Sequence, residues 1–321
     1  MILVLRALGV GDLATAVPAL RALRAAYPDR ELALAAPGWL TPLAELVGGI
    51  DRVLPTDGLT ALDVGRPPEL AVNLHGRGPR SHHLLAATAP GRLLAFRCPA
   101  AGHRDGPEWD DREHEVRRWC RLLSWHDLPA DPGDLALARP APQRIPVGVT
   151  VVHPGTKVPA KRWSPSRFAA VAGRLARRGH RMVVTGSPVE RAVAEQVARR
   201  AGLPPAAVLA GRTGLAELAA LVAHARLVIS GDTGVAHLAT GYGTPSVVLF
   251  GPVPPARWGP PADRPRHRAL WAGPATDAGP GHPAWDGVGA HPSMAALPVD
   301  RVLAAVEEAE RAVRSSGAVT A

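Results

Sequence analysis

The sequence predicts an α/β protein built from two doubly wound domains with parallel sheets. Three observations lead there. Short aliphatic runs alternate with longer amphipathic stretches along most of the chain, the pattern of repeated βα units. The alternation is interrupted once, over 129–146, by a proline-rich stretch with no helical period that reads as the linker between the domains. The length, 321 residues, suits two domains at about 100–200 residues each.

Each element follows in order. Residues 1–5 (MILVL) read as a buried strand. Over 12–26, Leu13, Val17, Leu20 and Leu23 recur at helical spacing, and Pro18 predicts a kink or a late start. Residues 31–36 and 70–74 are strand candidates, and 111–125 is an amphipathic helix. After the proline-rich break, 147–155 is a strand running into a turn. A helix over 164–178 takes Ser164 as N-cap and Pro165 as its first residue. Then come a strand (181–186), helices (188–201 and 214–224), a strand (225–230), a helix opening within 231–239 and a strand (245–251). Residues 256–296, rich in Pro, Gly and Trp, read as irregular, and 298–314 as a closing helix. The domains are therefore expected at 1–145 and 146–321. In such folds ligands sit at the carboxyl ends of strands.

Composition narrows the function classes. Hydrophobic residues make up 46% of the chain, enough for two cores, so wholesale disorder is excluded. The formal net charge is +9, but every basic residue except Lys157 and Lys161 is arginine, and arginine is scattered through all segments. A nucleic-acid surface would cluster its charge and interleave aromatics, so no nucleic-acid partner is expected. Two cysteines, Cys98 and Cys120, make neither a disulfide framework nor a zinc knuckle. No apolar run reaches the roughly 18 residues of a membrane span, and no secretory leader opens the chain, so the expected location is the cytoplasm.

Four turns carry candidate chemistry. Gly9-Val10-Gly11-Asp12-Leu13-Ala14 formally matches the dinucleotide fingerprint. A NAD-binding domain would place an acidic residue at the end of the second strand, and here that strand ends Ala35-Ala36-Pro37. The glycines can instead present Asp12 to a ligand as a general base at a helix N-terminus; the plainer alternative is that Asp12 only caps the helix. The second turn, His153–Trp163, holds both lysines of the chain. A compact, flexible ammonium at the carboxyl end of a strand suits an anionic ligand, against the alternative of two solvated lysines. The third, Ser230-Gly231-Asp232-Thr233-Gly234-Val235-Ala236-His237, would aim the amides of Thr233 and Gly234 at an anion. The fourth, Thr185–Glu190, places Glu190 either as a cap or on ribose hydroxyls. The histidines show no metal spacing, and there is no D-x-D motif, so neither a metal nor a cofactor is expected.

In this order, these turns resemble the ADP-heptose:lipopolysaccharide heptosyltransferase family, inverting glycosyltransferases of the GT-B fold. The resemblance covers nearly the whole chain. It rests on Gly11–Leu23, His153–Trp163, Thr185–Glu190 and Ser230–Pro252, the last being the most specific. It implies Asp12 as general base on the acceptor hydroxyl, with Gly11 beside it, and Lys161 on the donor sugar or phosphate. Thr156 would lie in the same loop and Glu190 on the ribose. Asp232 would bind the donor sugar, Thr233 and Gly234 the diphosphate, with His237 next to them. Asn73 and His75 are candidates for acceptor binding. The closing helix would pack back on the first domain. The implied function is metal-independent, inverting transfer of a heptose-like sugar from a nucleoside diphosphate, ADP by family likeness. The acceptor would be a soluble small molecule or a cell-envelope glycolipid. The enzyme would be a monomer with at most peripheral membrane contact. Two other readings compete: an NAD(P)-dependent oxidoreductase using Gly9–Ala14, and a non-catalytic sugar-phosphate-binding protein. The first leaves Lys161 and the 231–237 turn without a role. The second predicts that Asp12→Asn leaves function intact.

Overall fold

The computed structural model describes residues 1–273 and 290–318. The chain divides into two compact units, Met1–Ala138 and Arg139–Ala321.

The first unit is a five-stranded parallel sheet in the order β3-β2-β1-β4-β5. Its strands are β1 (Ile2–Leu5), β2 (Leu32–Ala36), β3 (Arg52–Pro55), β4 (Leu70–Asn73) and β5 (Arg92–Leu94). β1, β2 and β4 are buried throughout, as parallel strands covered on both faces should be. The expected helix at 12–26 is two helices, α1 (Val10–Thr15) and α2 (Val17–Ala26), broken at Ala16 with Pro18 in the first turn of α2. Pro18 lacks an amide hydrogen, and the first turn of a helix has no use for one. Next come α3 (Thr41–Val47), α4 (Arg80–Ala86) and α5 (Glu115–Trp125).

The second unit repeats the design with the order β10-β9-β8-β6-β7, also parallel. Its strands are β6 (Thr150–His153), β7 (Met182–Val184), β8 (Leu227–Gly231), β9 (Ser246–Phe250) and β10 (His267–Trp271). Between them run α6 (Pro165–Arg177), α7 (Arg191–Arg200), α8 (Leu215–Ala223) and α9 (Gly234–Tyr242). Ser164 is the N-cap of α6, but its hydroxyl bonds that of Ser166 (2.7 Å) rather than a helix amide.

Two expectations change. The 256–296 segment is not wholly irregular: it contains β10, paired along its length with β9, and short helices at Pro255–Trp258 and Pro292–Ala295. Its central part, 274–289, lies outside the described residues. The 129–146 stretch is not a free linker. Leu135 and Leu137 are buried, the Ala138 amide donates to Leu46 O (2.8 Å), and Arg139 Nη2 donates to Tyr242 O (2.9 Å). The closing helix, Val299–Ala318, sets its apolar face (Val302, Leu303, Ala305, Val306 and Ala309) in the core of the second unit, with Phe168, Leu175 and Leu249. No helix among the described residues is long and apolar enough to cross a membrane.

Candidate active site

In each sheet the chain winds outward in both directions from one central pair of strands, β1/β4 and β6/β8. Loops leaving such a pair diverge to opposite sides and open a crevice at the carboxyl ends of the strands. The sequence-predicted residues fall on these two switch points.

In the second unit, β6 ends at His153 and β8 at Gly231, with His153 in register with Ser230. The loop after β6 folds through a short 3-10 turn, Pro159–Lys161, and that brings Lys161 back across the crevice. Lys161 Nζ donates to Asp232 Oδ2 at 2.6 Å, both side chains being largely buried. His237, one turn into α9, places Nε2 at 3.9 Å from Asp232 Oδ1, and its ring meets Trp258 edge-on at 5.9 Å. Thr233 is the N-cap of α9 in extended conformation, yet its side chain makes no capping bond, and its buried Oγ1 has no partner among the described residues. The helix therefore starts with amides of its first turn unmatched by a side chain, the arrangement that receives anions.

Glu190 flanks the same loop. Its Oε2 accepts from the Ser187 amide (2.7 Å) and hydroxyl (2.8 Å), so it caps its own turn, while its carboxylate lies against the backbone of the β6 turn. A Cβ on Gly155 would stand 2.3–2.5 Å from that carboxylate, so any larger residue there would have to displace Glu190. His153 Nδ1 pairs with Thr185 Oγ1 (2.9 Å), and burial holds this imidazole below its usual range despite the opposing pull of Glu190. Thr156 Oγ1 accepts from the Val158 amide at 3.3 Å and shapes the loop.

In the first unit, Asp12 sits in the first turn of α1, two residues after its first residue Val10, with Gly11 before it. Oδ2 accepts from the Gly9 amide (3.0 Å), so Asp12 does cap the helix; Oδ1 faces Arg6 Nη2 at 3.7 Å. Arg6, absent from the sequence-derived site, is its organiser. Its buried guanidinium donates to Asp12 O (3.0 Å), Thr15 Oγ1 (3.2 Å), Glu115 Oε1 (3.0 Å) and Leu74 O, and lies over the Trp119 ring at 4.6 Å. A charged residue closing an otherwise apolar strand is the signal that could have found it. His75, after β4, is driven down to about 4 by burial and then by Arg6, with Asp12 opposing, so it is a neutral imidazole near both. Asn73, the other candidate acceptor residue, is fully buried, and its amide nitrogen is committed to Gly76 O (3.2 Å), Ser81 Oγ (3.0 Å) and His82 Nδ1 (3.1 Å). Its Oδ1 accepts from the His75 amide (3.0 Å), so it holds the turn that carries His75. No cluster of three or more potential metal ligands occurs among the described residues.

Comparison with known proteins agrees with this layout. Lipopolysaccharide heptosyltransferase 2 of Escherichia coli K12 is 25% identical over 293 residues, covering 79% of this chain and 83% of that protein. Lipopolysaccharide heptosyltransferase 3 of E. coli is 35% identical over 112 residues, spanning about a third of either chain (34% and 33%). The solved E. coli ADP-heptose lps heptosyltransferase II superposes with a TM-score of 0.75 at 21% identity, covering 98% of this chain and 99% of that one; this likeness establishes the GT-B fold. The family model described as glycosyltransferase family 9 (heptosyltransferase) matches residues 108–278, more than half of the sequence, and the chain belongs to that family.

Proposed function

We propose that this enzyme moves a heptose-like sugar from a nucleoside diphosphate, ADP, to an acceptor hydroxyl, with inversion and without a metal. The observation that carries the reading is the Lys161–Asp232 pair, 2.6 Å apart at the switch point of the second unit and beside the N-terminus of α9. The names of the relatives, lipopolysaccharide heptosyltransferases and an ADP-heptose enzyme, support the sugar and the nucleotide. They also favour a cell-envelope glycolipid over a soluble acceptor.

The roles divide between the units. In the second, Asp232 takes the donor sugar's hydroxyls, while Lys161 and the amides of Thr233 and Gly234 take the diphosphate. Glu190 takes the ribose, and Thr156 and His237 border the pocket. In the first, Asp12 removes the proton as the acceptor oxygen attacks the anomeric carbon, and His75 lies on the acceptor side. The bond from that carbon to the phosphate oxygen breaks as the new one forms. Charge then builds on the departing diphosphate, where fixed donors stabilise it without reorganising.

The test is Asp12→Asn assayed with ADP-heptose. Turnover should fall about 10²–10⁴-fold with little change in the donor KM, as expected for loss of a general base. A variant that keeps more than about a tenth of wild-type turnover removes Asp12 from the mechanism. A calorimetric panel of ADP, UDP, GDP, dTDP and CDP should single out ADP.

A further inference from the structure

Arg257 is a buried arginine that the mechanism above does not use. Its residue is only 8% exposed, and Nε is sealed from solvent with no hydrogen-bond partner. Among the described residues its side chain makes no hydrogen bond, ion pair or ring stacking. Burying the Nε donor of an arginine without a partner is costly, so folded proteins that do so have a reason.

Its position supplies one. Arg257 lies just past the carboxyl end of β9, the strand next to β8, whose end carries Asp232. The next residue, Trp258, packs edge-on against His237, whose imidazole is 3.9 Å from Asp232. The segment is stiff. Pro252, Pro254 and Pro255 precede the arginine, the Gly259 amide donates to Pro255 O at 2.6 Å, and a Cβ on Gly259 would stand 2.5 Å from that oxygen. A rigid turn that holds an uncompensated cation beside a ligand crevice has met the ordering cost in advance. Lys161, across the crevice, is already neutralised by Asp232. An incoming dianion needs more positive charge than that pair offers, and a guanidinium fork matches phosphate oxygens two at a time.

We infer that Arg257 is a phosphate-binding residue of the donor site, pairing with the diphosphate of the nucleotide. This rests on the donor-site reading above. The alternative source of the same chemistry is a phosphate on the acceptor, and the experiment separates the two.

Wild type, Arg257→Met and Arg257→Lys are compared as full-length proteins by calorimetry with ADP and adenosine, and by thermal unfolding without ligand. ADP should bind Arg257→Met about ten- to a hundred-fold more weakly, the loss expected for one charge-assisted contact, with adenosine unaffected and Arg257→Lys between. The unliganded melting temperature of Arg257→Met should equal or exceed that of wild type, because an unsatisfied buried donor has been removed. Undiminished ADP affinity in Arg257→Met overturns the inference, and does so for the acceptor source if the KM of a phosphorylated acceptor rises instead. A clear fall in the unliganded melting temperature, or failure of Arg257→Met to fold, also overturns it, because the arginine would then be structural. A wild type that does not bind ADP at all sinks the donor reading itself.

Discussion

The buried charge cluster under Asp12 makes a prediction whose sign comes from counting charges. Arg6 and Arg118 are cations, Glu115 and Asp12 are anions, and Glu115 is shared: Oε1 accepts from Arg6 and from Trp119 Nε1 (both 3.0 Å), and Oε2 pairs with Arg118. Neutralising Glu115 removes the buried carboxylate that the Arg6 and Arg118 guanidiniums share. Breaking a buried pair this way costs about 3–5 kcal/mol. Removing Arg6 instead leaves Glu115 still paired with Arg118 and Trp119, so the loss is that of one charged hydrogen-bond set, about 2–3 kcal/mol. Glu115→Gln should therefore be more damaging than Arg6→Met, and the double variant should cost less than the sum, with a coupling of about 1–3 kcal/mol. Because the chain has two units, a single global unfolding energy is poorly defined. Amide exchange over 115–125 reads the first unit directly. At about 1.4 kcal/mol per decade, Arg6→Met should speed exchange there about 30–150-fold and Glu115→Gln more than about 150-fold. The reverse order, or strict additivity, would refute the shared-carboxylate account.

Two further outcomes follow from the geometry. Gly155→Ala should displace the Glu190 carboxylate, which the new methyl would approach to 2.3–2.5 Å; donor KM should rise by about ten-fold with kcat less affected, and an unchanged KM would detach Glu190 from the nucleotide. Stability should fall as pH drops from about 6.5 to about 4. His75 and His267 are both held down to about 4 by burial, so in this window the unfolded chain binds protons that the native chain refuses. Melting temperature against pH should slope accordingly, and the double variant His75→Gln/His267→Gln should flatten it; an unaltered slope would show that other groups govern the acid limb.

Most of the sheet framework is legible in the residues because parallel strands buried on both faces become uninterrupted aliphatic runs: MILVL, LALAA and SVVLF cannot easily be anything else. The strands that escape notice are β3, β5 and β10. All are sheet edges, where one flank has no neighbour and charged or proline residues (Arg52, Pro55, Arg92, Arg268) intrude. The same physics explains the reading of the site. Turns at strand ends leave signatures in sequence, because glycine, aspartate and lysine are required there for local reasons. Glu115 and Arg257 leave none, and Arg6 leaves only its place at the end of an apolar strand. They meet their surroundings only after folding, Arg6 and Glu115 across a separation of 109 residues, and in a chain whose basic residues are almost all arginine one more arginine carries no information.

The two switch points differ in how they treat charge, and the difference bears on the order of events. In the first unit, Asp12 is held from behind: Gly9 and Arg6 fix its carboxylate while it stays partly exposed. In the proposed role of base, nothing needs to break before it accepts a proton. In the second, Lys161 and Asp232 hold each other. A donor that uses both must divide them, giving its phosphates to the lysine and its hydroxyls to the aspartate. A nucleoside diphosphate without the sugar can take only half of that exchange, and leaves Asp232 without its buried counter-charge. A ligand with both parts replaces the pair at each end. With the proposed roles, a site of this kind prefers intact donor over spent nucleotide, which favours release of the product.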